Sequence, residues 1–413
     1  MYKNIDKCRL CFSKKILPFF NLGKHQPSNS LKNKRNDKIP AIPLELTFCK
    51  TCKVVQLSAT ASPEMLFRKY VWVTGTSDGA KDYSHIFYSR LIKKTKNKKK
   101  LFICEIASND GTFLQKFKKK GHEVLGVDPA KNIARVANKA GINTIPNFFD
   151  KKLSKEINQK LGKADVIFAR NVIPHVESIH AIAEGINDLI SKDGTVAIEF
   201  HYSKKILDEL HYDSIYHEHL FYFSIKTLTN FFKNYKLFPF DFDSSPISGG
   251  SLVIYFSKQK KKISNKLLNL IKVENEKKIN NLKTWKKFST DSNKHSQKLL
   301  SLIKKISKKN AIIGYGASAR SSTLLNYSKI NNHYLDFIID KNSLKNNKFT
   351  AGTNIKIYLP RVVKNKIKNY KFCILLAWNF KEEVIKELKK MKFVGKVIIP
   401  LPKKTIIYEI KKT

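Results

Sequence analysis

The 413-residue sequence is short of several things, and each shortage removes a class of protein. It holds no run of some 18 uninterrupted apolar residues, so no membrane insertion is expected. The N-terminus, Met1 to Leu10, is polar and charged and lacks the apolar centre of a signal peptide, so a cytoplasmic location is the expectation. Acidic residues are scarce, 33 against 79 Lys and Arg, for a formal net charge of +46. Such an excess would ordinarily point to nucleic acid or an anionic membrane. Arginine is scarcer still, with only eight among those 79 basic residues. Lysine scattered through every segment, amid Asn, Ile and Phe, reads as a compositional bias on solvated faces; bidentate recognition of phosphates and bases favours Arg. No specific nucleic-acid binding is expected, and a zinc protein with non-specific affinity for nucleic acid stands only as an alternative. A basic cleft would still attract a diphosphate-bearing substrate.

Cysteine is also sparse, six residues at positions 8, 11, 49, 52, 104 and 373. Four form two C-x-x-C pairs, Cys8/Cys11 and Cys49/Cys52, which together supply the four thiolates that tetrahedral Zn²⁺ takes. Four protein ligands leave no open position, so the site is expected to be structural. Cys104 and Cys373 lie in apolar, strand-like runs and read as buried, inert thiols.

The length exceeds one ordinary core, and the expected units are 1–70, 71–257, 258–308 and 309–413. From Leu101 onward short apolar runs alternate with helical spacing: strands at Leu101 to Ile106, Glu123 to Asp128, Ala164 to Ala169, Thr195 to Phe200 (after a turn at Asp193-Gly194) and Leu252 to Phe256, with helices at Thr112 to Lys120 and Ile179 to Ile190. This is the grammar of a doubly wound sheet. Residues 258–308 lack Gly and Pro and read as one or two amphipathic connecting helices. A second α/β unit follows, with strands at Ala311 to Ile313 and Leu335 to Asp340 around a glycine loop, Gly314 to Arg320, and a helix at Ser322 to Tyr327; Phe372 to Ala377 and Val397 to Ile399 supply later strands.

The first βα loop, Glu105 to Thr112, holds one glycine, Gly111. The pyrophosphate-binding G-x-G-x-x-G is absent, so a nucleoside without a phosphate fits better than a dinucleotide. Asp128, at the end of the next strand, is placed to accept hydrogen bonds from ribose hydroxyls; a purely structural strand-turn-helix is the alternative. Beyond the later strands stands a dense cluster, Tyr212-Asp213-Ser214-Ile215-Tyr216-His217-Glu218-His219, followed by Tyr222. Imidazoles, phenol and carboxylates so close together are suited to proton transfer near neutral pH. A second metal site or a structural hydrogen-bonded cluster are the other readings, although H-E-x-x-H spacing is absent. Asn171 and His175 follow a strand that ends at the same sheet edge. In the second unit, Arg320 could hold a phosphate with its fork of donors.

With these residues in view, the sequence resembles the three-part sugar C-methyltransferases that act on nucleotide-linked keto-deoxysugars. The resemblance runs through the paired C-x-x-C knuckles, S-N-D-G-T at Ser108 to Thr112, G-V-D-P-A at Gly126 to Ala130, R-N-V-I-P-H-V at Arg170 to Val176 and I-Y-H-E-H-L at Ile215 to Leu220. It continues through S-G-G-S-L at Ser248 to Leu252, G-Y-G-A-S-A-R at Gly314 to Arg320, L-L-N-Y at Leu324 to Tyr327, A-G-T at Ala351 to Thr353 and A-W-N-F at Ala377 to Phe380. It implies a zinc-binding domain, a class I S-adenosylmethionine-dependent methyltransferase domain with a Rossmann-like α/β fold, a helical connector and a Rossmann-like substrate-binding domain.

The resemblance also implies roles. S-adenosylmethionine would be held by Glu105, Ala107, Asn109, Gly111, Asp128, Pro129 and Asn171, and zinc by the four cysteines. A proton next to a ketone would be removed by His219, with Tyr216 beside the reacting centre, Glu218 orienting, and His175 and Asn171 lining the pocket. Tyr222, Ser248, Gly249, Gly250 and Arg320 would meet the nucleotide-diphosphate sugar. The chain departs from the family's habit in carrying Ser248 and Val253 where His and Arg are frequent, and Arg320 where Lys is usual. The alternative function is an O-methyltransferase, or another methyltransferase acting on a sugar, lipid or polysaccharide precursor.

Overall fold

Short apolar strands and one hairpin build the N-terminal region. In this computed structural model, which describes residues 2–67, 73–96 and 98–412, the chain begins with β1 (Tyr2–Asn4), β2 (Ile16–His25), β3 (Ile42–Cys49), β4 (Val55–Leu57) and β5 (Ala59–Ala61). β2, β3 and β4 pair antiparallel, and β1 pairs with β5. The expected domain boundary at residues 70 and 71 lies outside the described residues.

The central region supplies β6 (Phe102–Ile106), β7 (Glu123–Val127), β8 (Thr144–Ile145), β9 (Ala164–Arg170), β10 (Ile190–His201), β11 (Phe221–Tyr222), β12 (Phe238–Ser245) and β13 (Ser251–Ser257). Its seven-stranded sheet has the order β12-β13-β10-β9-β6-β7-β8. β6 to β10 run parallel, and β13 is antiparallel, slotted between β10 and β12. This is the Rossmann-like class I arrangement. All five residues of β6 are buried, as a strand covered on both faces requires. Strand order reverses at β6 and β9, so the crevice outside their carboxyl ends is where a ligand is received.

Two details depart from the sequence reading. The expected turn at Asp193-Gly194 is a bulge inside β10: pairing with β9 steps from Ile190↔Ala164 to Thr195↔Val166, and the neighbouring strand holds both sides of the extra residues. β11 leaves its own domain. It pairs antiparallel with β4, Phe221 against Gln56 and Tyr222 against Val55, and Leu57 N donates to Leu220 O at 2.9 Å. The chain that follows His219 is thereby built into the N-terminal sheet.

Residues 258–308 form two helices, Asn265–Glu276 and Leu282–Ser307. On the second, Trp285, Phe288, Ser292, His295, Ser296, Leu299, Ile303 and Ile306 are buried at spacings of three and four. Phe288 meets Phe20 of β2 with ring centroids 5.9 Å apart. The last region holds β14 (Ile312–Tyr315), β15 (Phe337–Ile339), β16 (Lys356–Tyr358), β17 (Phe372–Leu375), β18 (Gly395–Ile399) and β19 (Ile406–Ile410), in the order β16-β15-β14-β17-β18-β19. β19 alone is antiparallel. Gly314 and Tyr315 belong to β14, and Ser318 caps the helix Ala319–Tyr327 by accepting from Ser321 N, so the glycine loop is shorter than the sequence suggests. Among the described residues no helix is long and apolar enough to cross a membrane.

Candidate active site and metal centre

The four knuckle cysteines converge. Their sulfurs all lie within 4.8 Å of one another, with Cys8–Cys52 and Cys11–Cys49 each at 3.6 Å. Four thiolates about 2.3 Å from a tetrahedral Zn²⁺ stand about 3.8 Å apart, so the set fits the ion. Both knuckles make the same turn: Phe12 N donates to Cys8 O and Lys53 N to Cys49 O, while Cys8 N and Cys49 N donate to Ser13 O and Val54 O. All six cysteines are free thiols, and burial raises the thiol pKa of Cys104 and Cys373. Among the described residues no other group of three or more His, Cys, Asp or Glu side chains converges in this way, and His217 and His219 make their hydrogen bonds to Ile42 O and Ser214 O instead.

The cofactor loop leaves β6 through left-handed turns at Ala107 (φ 56°), Asn109 (φ 52°) and Gly111 (φ 77°). A Cβ on Gly111 would stand 2.9 Å from the Ile142 side chain. Glycine there lets the loop turn tightly into the helix Thr112–Lys119. Asp128 fixes the loop by accepting from Asn109 N and Ala130 N, each at 2.8 Å. Each of its oxygens keeps a second lone pair for a ribose hydroxyl. Glu105 is buried, and its Oε2 has no hydrogen-bond partner among the described residues. Burial, reinforced by Asp110, Asp128 and Glu199 and opposed by Arg170, pushes its carboxyl well above the usual range. An orphaned oxygen at the carboxyl end of β6, beside Asp128 and a close-approaching glycine, fits S-adenosylmethionine. Pro129 follows Asp128 at the mouth of the same loop.

The Tyr212–His219 cluster divides by side-chain direction. Tyr216 and His219 are partly exposed, as are Asn171 and His175, whereas His217 and Glu218 are buried. Tyr216 Oη and His219 Nε2 lie 2.7 Å apart, and His219 Nδ1 is 2.8 Å from Ser214 O. Since a carbonyl can only accept, Nδ1 carries the proton and Nε2 receives the phenol O–H. The His175 ring lies 4.8 Å from that of His219. Burial, helped by His175, holds the His219 imidazole well below its ordinary pKa, and burial takes His175 down to about 4. Asn171, at φ 50°, donates its backbone N–H to Glu199 O at 2.8 Å, and its Oδ1 accepts from Ser251 Oγ. His217 and Glu218 turn toward the N-terminal region instead. His217 Nε2 donates to Ile42 O at 3.1 Å, and Asn29 Nδ2 donates to Glu218 Oε1 at 2.5 Å. Tyr222 lies in β11, buried with its ring against Trp285, centroids 6.4 Å apart.

Arg320 sits where the central and C-terminal sheets meet. Its Nε and Nη2 donate to the two oxygens of Asp213 at 2.9 and 2.7 Å, and Nη1 donates to Ser248 O at 2.7 Å. Trp378 Nε1 donates to the same Asp213, and the guanidinium stacks over the Trp378 ring at 4.5 Å. The fork read from the sequence as a phosphate holder is thus already engaged by a carboxylate and a carbonyl. Ser248 (φ 56°), Gly249 (φ 78°) and Gly250 (φ 125°) form a left-handed turn beside it. A Cβ on Gly249 would come within 2.9 Å of the Trp378 ring, so glycine is needed for this close approach.

Several residues escaped the sequence reading. Thr74 N and Gly75 N donate to Asn109 Oδ1 and Asp110 Oδ2, each at 2.8 Å, which lays a T-G-T segment across the cofactor loop. Arg170 donates to Glu199 at 2.8 Å and stacks over Phe113. Arg9 donates to Gln56 Oε1, Leu57 O and Thr60 Oγ1. The only sequence signal for these two was their residue type, since arginine's planar fork suits several acceptors at once, but exposed arginines such as Arg35, Arg135 and Arg361 carry the same signal.

Three family models match the chain in tandem: "Putative zinc binding domain" over residues 8–67, "Methyltransferase domain" over 82–237 and "C-methyltransferase C-terminal domain" over 246–402. A curated relative, C-methyltransferase NovU from Streptomyces niveus, is 26% identical over 409 residues, which covers 98% of this chain and 97% of the relative. Among solved structures, magnesium protoporphyrin IX methyltransferase (ChlM) from Synechocystis PCC 6803 with bound SAM aligns with TM-score 0.33 and 12% identity, over 43% of this chain and 79% of that one. The PH0226 protein from Pyrococcus horikoshii OT3 aligns with TM-score 0.36 and 15% identity, over 48% of this chain and 98% of that one.

Proposed function

Because the chain belongs to the S-adenosylmethionine-dependent methyltransferases, with a zinc-binding module before the methyltransferase domain and a C-methyltransferase C-terminal domain after it, we propose that it methylates a carbon of a nucleotide-linked keto-deoxysugar through an enolate. The observation that carries this reading is the Tyr216–His219 pair. Removing a proton next to a ketone needs a base that is neutral at working pH and has its lone pair available. His219 is neutral because burial keeps the ring uncharged, and with Ser214 O taking its Nδ1–H the lone pair stands on Nε2, where the Tyr216 O–H holds it until the substrate's carbonyl oxygen draws that hydroxyl away.

In this mechanism His219 Nε2 takes the α proton. The Tyr216 O–H turns first from Nε2 to the substrate's carbonyl oxygen, which frees the lone pair for the α proton and leaves the same O–H donating to the enolate oxygen as it forms. Glu218, tied to Asn29, orients the backbone between them, and His175 and Asn171 line the pocket. When bound at the Glu105–Asp128 loop, S-adenosylmethionine supplies the electrophilic methyl group. Ala107, Asn109, Gly111 and Pro129 shape that loop, and Asp128 holds the ribose. The Ser248–Gly250 turn with Arg320 forms the substrate wall at the C-terminal domain, Tyr222 lies behind the cluster in β11 against Trp285, and the excess of lysine favours a diphosphate. Four free thiolates suit a reducing, cytoplasmic setting.

Incubation with labelled cofactor and a panel of nucleotide-linked 4-keto-6-deoxysugars is expected to give a methylated product. In His219→Ala, solvent exchange of the α proton and methyl transfer fall together, by about 10²–10⁴-fold. Full exchange and transfer in that variant would remove the base assignment.

A further inference from the structure

Two buried histidines stand beside the cleft with no part in the chemistry above. His201 ends β10, and His211 lies just past the helix Ser203–Glu209. His201 Nε2 is 3.2 Å from His211 Nδ1, with the rings stacked at 5.4 Å between centroids. His211 Nε2 is 3.1 Å from Glu209 Oε2, off the line of its ring N–H. The carboxylate still decides the tautomer, because a nitrogen lone pair facing an anionic oxygen is repelled while an N–H is attracted. With its proton on Nε2, His211 presents Nδ1 as an acceptor. His201 Nε2 therefore donates to it, and His201 Nδ1 is left as an acceptor. That atom is buried, on a residue only 6% exposed, and has no hydrogen-bond partner among the described residues. A buried acceptor without a donor is destabilising unless a ligand supplies one.

The pair stands beside residues assigned above to the substrate. His201 is in register with Ser251, whose hydroxyl reaches Asn171 of the pocket. His211 packs against Trp378, with ring centroids 4.7 Å apart, and its Cε1 stands 3.5 Å from where a Cβ on Gly249 would be. Burial foremost, with Arg320 adding, holds both imidazoles below their ordinary pKa, and for His211 this outweighs the opposing pull of Glu209 and Asp213. We propose that Glu209, His211 and His201 form a relay that presents His201 Nδ1 as a hydrogen-bond acceptor to a hydroxyl of the sugar substrate, where the central sheet meets the C-terminal domain. This rests on the nucleotide-sugar reading above. The relay determines specificity: a hydroxyl donates to Nδ1, whereas a keto oxygen at the same ring position has no proton to give.

Two polar variants separate the acceptor from the packing. His201→Gln keeps a group near Nε2 and loses the acceptor near Nδ1; His201→Asn keeps an oxygen near Nδ1. The experiment is calorimetric titration of the full-length, zinc-loaded protein with a nucleoside-diphosphate 4-keto-6-deoxysugar and with its analogues lacking one ring hydroxyl each. His201→Gln is expected to weaken the intact sugar by about 10- to 100-fold while His201→Asn stays within a few-fold of the wild type. One deoxy analogue loses the same factor against the wild type and nothing further against His201→Gln. Unchanged S-adenosylmethionine affinity in both variants reports an intact fold. The inference is overturned if His201→Gln binds the intact sugar as the wild type does, or if its loss is the same for every analogue. A wild-type protein that binds the cofactor but no nucleotide sugar overturns the substrate reading, and the inference with it.

Discussion

His217 shows how one side chain beside the Tyr216–His219 pair acquires a structural duty. Its Nε2–H is given to Ile42 O, and burial lowers its pKa from about 6.5 to about 4. In the unfolded chain it takes up a proton below about pH 6.5, while in the folded protein it stays neutral until about pH 4. The unfolded state therefore binds more protons in that window, and stability falls as pH falls through it, by up to about 3 kcal/mol from His217 alone. Urea unfolding is expected to show a lower midpoint at pH 4.5 than at pH 7, with a shallower decline in His217→Gln. A pH-independent midpoint would contradict this. The residue types of the cluster were legible in the sequence, and so was their closeness along the chain. Which of them reach the cleft was not, because direction is set by partners such as Asn29, which lies 189 residues from Glu218 in sequence.

Among the elements, the short strand β11 ties the segment after the proposed base to the sheet that carries the cysteine knuckles. It places the segment after His219 on β4, and β4 begins immediately beyond the Cys49–Cys52 knuckle. Arg9, inside the first knuckle, clamps Gln56 and Leu57 of β4. Metal analysis is expected to give one zinc per chain. Removing it, or the substitution Cys49→Ser, releases backbone amides at 55–57 and 220–222 together in hydrogen exchange and abolishes α-proton exchange. Faster exchange confined to the knuckles at 8–13 and 49–53 would contradict the link. The parallel strands were readable from continuous apolar runs such as F-I-C-E-I at 102–106. β11 has two residues and no periodicity, so its pairing carried no sequence signal.

Across the whole molecule, the central and C-terminal sheets are joined by a buried carboxylate held by Arg320 and Trp378. Asp213→Ala strands the Arg320 guanidinium, 8% exposed, without its partner. A loss of about 3–5 kcal/mol in urea unfolding is expected, and a loss below about 1 kcal/mol would show that water or another group replaces the pair. The two α/β units were each legible from their strand-loop-helix rhythm. Their junction was not, since Asp213 and Trp378 meet 165 residues apart and neither belongs to a periodic face.

The proposed carbon methylation is tested most directly by the position of the new methyl group. With a nucleotide-linked keto-deoxysugar deuterated at the carbon next to the ketone, mass spectrometry and NMR of the product are expected to show the methyl group on that carbon and one deuteron lost. A methyl group on oxygen, with the deuterium retained, would contradict the account.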